Sequence, residues 1–214
     1  MTNFIPIFPL SIVVFPGEKL HLHIFEPRYK QLIKECRDTG KSFGIPVVIN
    51  NKISETGTLI QLSEVVQEYE NGELDIRTEG LRVFRILEVI QSVPDKLYSG
   101  AIVSYPDNVE DEGNRTLMQR VVGGIKELHR LLNISKEFKK PDEALRIYDV
   151  AHHAGLSLEE EYEVLGLLQE LQRQEYMKRH LQKVLPLLKE MEELKEKVKL
   201  NGHFRNLSAF DLEM

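Results

Sequence analysis

The chain has 214 residues, and its 28 Lys and Arg against 34 Asp and Glu give a formal net charge of −6. This length suits one large domain or one domain with a helical extension, and 42% hydrophobic with 29% charged residues excludes an intrinsically disordered chain. The acidic balance argues against a protein that binds nucleic acid or an anionic membrane through bulk charge.

Cysteine content and the first residues bear on the compartment. The single cysteine, Cys36, excludes an internal disulfide, and no apolar run reaches the length of a membrane-spanning helix. Residues 1–6 lack the basic and apolar regions of a secretory signal peptide. We therefore expect a soluble protein in a reducing, cytoplasmic setting.

Up to residue 106, short apolar runs of period two alternate with turn residues, which predicts an antiparallel sheet or a small barrel. The run Lys19–Phe25 alternates, so His21, His23 and Phe25 share the face opposite Leu20, Leu22 and Ile24. Pro27 then suits the first position of a helix that ends at Gly40 and carries Cys36 on its apolar stripe.

The next strands are predicted over Phe43–Ile49, Gly57–Tyr69 and Leu97–Tyr105, with a return strand from Leu74. Asn71-Gly72 predicts a two-residue hairpin turn with positive φ at both residues. Gly80 predicts a bulge or a bend in the return strand.

Helical periodicity begins at Asn114, a predicted N-cap, and Gly123-Gly124 within that helix favours a close contact with another helix. A second helix is predicted over Asp142–Gly155, and a capping box at Ser157–Glu160 starts a third, which continues past residue 170 with a break. Pro186 predicts a restart, and Gly202 the end. We expect the apolar tail residues Phe204, Leu207 and Phe210 to fold back on the body.

No motif for chemistry is complete. Gly40-Lys41-Ser42 matches the end of a phosphate-binding loop, but Glu35 stands where the first glycine is required. His21 and His23 point the same way from one strand but lack a third metal ligand, and the adjacent His152 and His153 diverge on a helix. Cys36 on an apolar stripe is a small hydrophobe rather than a nucleophile, and no serine lies in a glycine-flanked elbow.

The corner between the first alternating strand and the first helix offers candidate binding residues. A ligand groove would use Phe15, His21, His23, Phe25 and Arg28. The structural alternative is that Glu26 caps the helix and Arg28 pairs with a nearby acid.

Several sequence blocks resemble one known family. They are Ile7-Phe8-Pro9-Leu10, Val14-Phe15-Pro16-Gly17, Leu22-His23-Ile24-Phe25-Glu26-Pro27-Arg28-Tyr29, Phe43-Gly44, Gly57-Thr58-Leu59, Gly72-Glu73-Leu74-Asp75-Ile76 and Gly80-Leu81-Arg82-Val83-Phe84-Arg85-Ile86. In this order over residues 5–105, the chain resembles the N-terminal, substrate-binding domain of the Lon protease family. The resemblance implies an α+β fold: a PUA-like pseudo-β-barrel with one helix over 1–106, a helical bundle over 107–202 and a tail over 203–214.

A full Lon protease also has an ATPase module and a Ser-Lys protease module, for which 214 residues leave no room. The resemblance therefore implies a non-catalytic polypeptide-binding module or adaptor, with no cofactor, no metal and no catalytic residues. Its expected partners are unfolded or degron-bearing polypeptides, and a separate ATP-dependent protease is a further candidate; nucleic acid and membranes are not expected. Exposed strand edges and apolar pockets would bind such segments.

Two other function classes stay open at this point, and the oligomeric state is not predicted. One is a small hydrolase or vestigial peptidase with an unrecognised site, which would need Ser or Cys beside His or Lys. The other is a small-ligand sensor, which would need a closed apolar pocket with convergent polar groups.

Overall fold

A computed structural model describes residues 3–208, with side chains described up to residue 198. Six strands form one sheet: β1 (Asn3–Pro6), β2 (Lys19–Ile24), β3 (Phe43–Ile49), β4 (Lys52–Glu68), β5 (Leu74–Ile90) and β6 (Gly100–Ser104). The helices are α1 (Pro27–Thr39), α2 (Arg115–Leu131), α3 (Ile147–Val150), α4 (Leu158–Gly166) and α5 (Glu170–Ser208). The predicted α+β class with an antiparallel sheet is confirmed, while the unit boundaries stay a prediction.

The sheet closes into a pseudo-barrel through the segment that follows β1. The strand order is β1-β6-β5-β4-β3, with antiparallel pairing throughout. Beyond β1 the chain runs parallel to β3, because Phe8 N–H donates to the Gly44 carbonyl and Val48 N–H to the Leu10 carbonyl, both over 2.8 Å. β3, the last strand in this order, therefore contacts the segment that follows β1, and the sheet closes on itself.

Strand β5 pairs with β4 along one side and divides its other side between β2 and β6. Residues 74–79 of β5 face β2, and residues 85–90 face β6. The predicted irregularity at Gly80 is confirmed: the β4–β5 register shifts there, and a side chain at Gly80 would collide with the Phe15 carbonyl. The bulge separates the two halves of β5.

The hairpin between β4 and β5 differs from the predicted two-residue turn. Of its two central residues only Gly72 has positive φ (74°), and Gly72 N–H donates to the Tyr69 carbonyl while Tyr69 N–H donates to the Glu73 carbonyl. This pattern is a three-residue loop with a bulge glycine, so the prediction of positive φ at Asn71 is wrong. The Asn71 side chain instead accepts from Glu73 N–H over 3.0 Å.

Helix α1 begins at Pro27 and is followed by Gly40 with φ of 69°, as predicted. Its buried face, which includes Cys36, closes one end of the barrel against Phe8 and Phe43. The prediction that the Glu26 side chain caps this helix is wrong, because that side chain makes no cap hydrogen bond. Its carboxylate instead pairs with Arg28 over 2.7 Å, which was the other half of the structural alternative.

In the helical part, the predicted Asn114 cap is confirmed: its side chain accepts from Leu117 N–H over 2.9 Å. The predicted close helix contact occurs at Gly124, where a Cβ would lie 3.0 Å from Cδ1 of Leu181 on α5. A glycine at this position lets α2 and α5 approach each other.

Two helix predictions are wrong. Residues 142–155 form two 3₁₀ turns and the short α3 rather than one helix, because an extended link at Leu145 and Arg146 buries Leu145 and brings Ile147 N–H to the Glu170 carboxylate. Helix α5 continues through Pro186 and past Gly202 to Ser208. Strong helix formers on both sides carry it across the hydrogen bond that Pro186 cannot make.

The fold-back of the C-terminal tail falls outside what is described. The side chains of Phe204 and Leu207 are not described, and Phe210 lies outside the described residues. Within residues 3–208, no helix is long and apolar enough to cross a membrane.

A fully buried arginine organises the helical part. The Arg173 guanidinium donates to Glu170 Oε2 over 2.9 Å and lies 4.2 Å from the ring centroid of Tyr148. It also donates to Asn108 Oδ1 and to the carbonyls of Val109 and Leu167. The Arg173 side chain thus fixes three parts of the chain: the linker that follows β6, helix α3, and the start of α5.

We predict that Arg173→Met lowers the free energy of unfolding by about 3–5 kcal/mol, because it leaves the Glu170 carboxylate buried without its cation. Urea denaturation followed by circular dichroism measures the change. The control Arg179→Met, at an exposed position of the same helix, should change stability by at most about 0.5 kcal/mol. Equal losses in the two variants would contradict the role of Arg173.

His152 links the barrel to the helical part. Its Nε2 lies 3.1 Å from Glu18 Oε2, just before β2, and its Nδ1 lies 2.7 Å from Glu161 Oε1 on α4. Its ring also packs on Phe15, with centroids 4.8 Å apart. Burial lowers the pKa of His152, but the hydrogen bonds to Glu161 and Glu18 outweigh it and raise the pKa to about 9.

This link predicts a pH dependence of stability. The folded protein holds the His152 proton up to about pH 9, whereas the unfolded chain releases it near 6.5. The stabilisation is therefore complete below pH 6.5 and is lost as the pH rises to 9. In chemical denaturation, wild type should lose more stability over this interval than His152→Gln, whereas the exposed-site control His21→Gln should follow wild type.

Candidate functional site

The candidate site is an exposed surface at the end of β2 and the β4–β5 hairpin, here called the β2 surface: His21, His23, Phe25, Val66 and Tyr69. Alternation in β2 puts both histidines on one face, as predicted, and that face is the exposed one; the hairpin brings Val66 and Tyr69 to the same region. Phe25 is 59% exposed, which is unusual for a phenylalanine. It belongs to none of the hydrophobic core clusters.

His23 is the centre of this surface. Its ring stacks on Phe25 with centroids 6.2 Å apart and meets the Tyr69 ring edge-on at 5.9 Å. His23 Nδ1 lies 2.8 Å from Asp75 Oδ1, Nε2 lies 3.3 Å from Glu73 Oε2, and the Tyr69 hydroxyl donates to Asp75 Oδ2 over 2.7 Å. Glu73 and Asp75 therefore both have partners within this region.

These contacts shift the protonation of the group. The hydrogen bond to Asp75 raises the pKa of His23, with Glu73 adding to the effect. Hydrogen bonds from Tyr69 and His23 lower the pKa of Asp75. The cluster therefore favours a protonated imidazole beside two carboxylates, and this internal pairing leaves ring faces and apolar area for a ligand.

Beside this cluster lies a shallow cavity of about 340 Å³. It is lined by His21, Leu22, His23, Val66, Asp75, Ile76 and Arg77. Arg77 is paired with Glu64 across the neighbouring strand, so its charge is balanced too. The cavity offers an apolar side chain a place to lie against Leu22, Val66 and Ile76.

The edge of β2 is open. In the described part of the chain, β2 pairs with β5 alone. Gly80 N–H donates to the Glu18 carbonyl, and antiparallel pairing alternates, so Leu20 and Leu22 bond to β5 while the backbone groups of Lys19, His21 and His23 face outward. Three residues thus present unpaired backbone donors and acceptors next to the β2 surface.

The structure brings together His21, His23 and Phe25, whereas the other two predicted groove residues make different contacts. Phe15 is fully buried, stacked on Tyr148 with centroids 5.1 Å apart, so its place in an exposed groove is wrong. Arg28 pairs with Glu26 and lies over the ring of Tyr29 at 4.6 Å.

Sequence reasoning missed Val66, Tyr69, Glu73 and Asp75. The hairpin signal at Asn71-Gly72 indicated that the flanking strands return beside each other, but not that β2 would pair with β5. Only the register His23 opposite Asp75 brings these groups together.

Comparison with known proteins shows to which family this chain belongs. Residues 5–196 match the family model described as the ATP-dependent protease La (LON) substrate-binding domain. The chain belongs to this family. The barrel and most of the helical part, including the buried Arg173 contacts, thus lie within one Lon substrate-binding domain.

Two solved structures resemble this Lon domain. The Lon N-terminal domain protein from Xanthomonas campestris is 26% identical, with a TM-score of 0.60 over 81% of this chain and 95% of that one. The N-terminal domain of Mycobacterium avium complex Lon protease is 13% identical, with a TM-score of 0.58 over 86% of this chain and 100% of that one, which shows a shared fold.

Groups suited to nucleophilic or metal chemistry are not assembled in the described part of this Lon domain. Burial raises the pKa of Cys36 to about 11, so its thiol stays protonated at neutral pH. Among the side chains described, no serine or cysteine hydrogen-bonds to a histidine or lysine, and no three His, Cys, Asp or Glu form a metal-binding group.

We predict that Asp75→Asn lowers the pKa of His23, because it removes the carboxylate that accepts from Nδ1. A proton NMR titration of the imidazole signals measures this. Tyr69→Phe should leave the His23 pKa closer to the wild-type value, since the carboxylate remains. An unchanged His23 pKa in Asp75→Asn would contradict the arrangement.

Proposed function

We propose that this chain is a non-catalytic recognition module that binds extended polypeptide segments by strand addition to the open edge of β2. The observation that carries the proposal is the unpaired edge of β2 beside exposed aromatic side chains. Backbone hydrogen bonds demand little of a ligand's sequence, which suits unfolded or degron-bearing polypeptides.

The neighbouring side chains support this mode of binding. A strand added beside β2 would direct alternate side chains toward His21, His23 and Phe25, on the exposed face of the sheet. Because Glu73, Asp75 and Arg77 are already paired, apolar or aromatic residues of a ligand would bury surface there without separating a charge from its partner. A separate ATP-dependent protease could then receive the bound polypeptide from this module.

The test compares His21→Pro with His21→Ala. Both remove the imidazole, but only proline removes the outward N–H, and proline is tolerated at the open edge of a strand. Fluorescence polarisation with an end-blocked, ten-residue Val/Thr-rich peptide should show about fivefold to tenfold weaker binding for His21→Pro. His21→Ala should stay within about threefold of wild type, since it keeps the outward N–H and removes only one exposed side chain.

A second measurement does not depend on the folding of a variant. The same peptide with N-methyl groups on alternate residues cannot donate its edge hydrogen bonds, and it should bind wild type at least about tenfold more weakly. Equal binding of methylated and unmethylated peptides would exclude strand addition. Absence of binding by any such peptide to wild type would exclude the proposed function.

A further inference from the structure

A second cavity, of about 560 Å³, lies between α1, β1 and the segment that joins β5 to β6. We call it the α1 cleft. Its floor is apolar and consists of the buried side chains of Ile5, Leu32, Cys36 and Leu59. Pockets of this size accommodate a ligand of a few residues rather than a long segment.

One acid lines the α1 cleft among the described residues, and it is fully engaged. Glu35 Oε1 pairs with Lys96 Nζ over 2.8 Å, and Glu35 Oε2 accepts from the Tyr98 hydroxyl over 2.6 Å. Burial alone would raise the pKa of Glu35, but these two hydrogen bonds outweigh it and lower the pKa. Lys96 and Tyr98 therefore each have Glu35 as a carboxylate partner.

Two other cations line the α1 cleft, Arg82 and Lys41, and neither forms a salt bridge with a described side chain. Lys41 acts on Glu35 only through a longer-range attraction that helps to lower the pKa of that acid. The Arg82 guanidinium carbon lies 3.6 Å from the ring centroid of Tyr105. This stacking holds the guanidinium plane and leaves its N–H edge for a planar anion. In a chain of net charge −6, a locally cationic cleft is a departure from the average.

Two carbonyls near the end of α1 already have partners of their own. Helix C-terminal carbonyls attract positive charge, but the Glu35 carbonyl accepts from Thr39 Oγ1 and the Cys36 carbonyl from Gly40 N–H. The cations border an apolar floor instead, which calls for a ligand with a carboxylate and an apolar group close together.

We propose that the α1 cleft binds the C-terminal residue of a polypeptide, with the carboxylate on Arg82 and Lys41 and the side chain on the apolar floor. A chain terminus carries both groups on one residue, which matches a small cleft, and arginine binds carboxylates through two parallel hydrogen bonds. The apolar floor disfavours a phosphate, which offers nothing to bury there. This inference rests on the proposed function and adds a preference for free chain ends.

The test uses the full chain and two hexapeptides that end in leucine, one with a free carboxylate and one amidated. In fluorescence polarisation, the peptide with the free carboxylate should bind at least about tenfold more tightly than the amidated peptide. This is the usual effect of a charge-assisted hydrogen bond. A third peptide, amidated and with Asp beside the leucine, distinguishes a side-chain carboxylate from a chain end. If it binds as tightly as the free acid, specificity for chain ends is excluded.

Variants assign the effect to the cleft. Arg82→Gln should remove the difference between free and amidated peptides, and Lys41→Gln should reduce it. The matched control is Arg85→Gln, an exposed arginine of the same strand outside the cleft, which should leave the difference intact. Circular dichroism melting verifies that each variant is folded. If Arg82→Gln unfolds, Arg82→Lys replaces it, because lysine keeps the charge without the planar fork. Arg82→Lys should still weaken binding of the free-acid peptide.

The outcomes separate this inference from the proposed function. Equal binding of free and amidated peptides to wild type, or an undiminished difference in folded Arg82→Gln, overturns the α1 cleft proposal. End-blocked peptides that still bind in a manner sensitive to His21→Pro would then leave strand addition at β2 standing. If neither end-blocked nor free peptides bind, both proposals are excluded.

Discussion

The fold depends on how the two sides of β5 are shared. One side pairs with β4, and the other is divided between β2 and β6, with the Gly80 bulge between them. A strand of this length cannot lie flat against two partners, because sheets twist, and the bulge lets its halves follow different directions. Barrel closure uses β6 and β1, so among the described residues β2 has one paired edge and one open edge.

This division also explains why aromatic and charged groups gather at one end of the sheet. The half of β5 that pairs with β2 carries Asp75 and follows directly on the hairpin that carries Tyr69 and Glu73. Pairing therefore places Asp75 opposite His23 and Glu73 within 3.3 Å of its ring, and the charges compensate each other. What remains toward solvent is aromatic surface and backbone, a combination that suits ligands recognised by shape rather than by charge.

Much of the fold was predictable, because the local signals agree with the tertiary packing. Alternation in β2, Pro27 and Gly40 around α1, and the Asn114 cap each act over a few residues. The failures occur where distant contacts override a local signal. Glu170 and the core determine the backbone at Leu145 and Ile147, and the helix formers around Pro186 outweigh the missing donor. The hairpin has a bulge because Glu73 pairs with Tyr69 rather than with Glu70.

The candidate site was predictable only in part, for the same reason. Period-two alternation placed His21, His23 and Phe25 on one face, since a shared face depends on the strand alone. The sequence interpretation grouped Phe15 with them in a groove, although Phe15 lies outside that strand and packs on Tyr148 and His152. The partners of His23 come from another strand, and a single sequence does not contain the register that aligns them.

The Glu18 carboxylate accepts a hydrogen bond from Phe15 N–H and pairs with the His152 ring. Glu18 directly precedes the first residue of β2. The alignment of β2 on β5 is therefore anchored from outside the sheet, by the helical part. A slip of one residue would exchange the inner and outer faces of the strand, and it would also pull Glu18 away from His152. If a ligand strand pairs with the open edge as proposed, this anchor would keep β2 in register with β5.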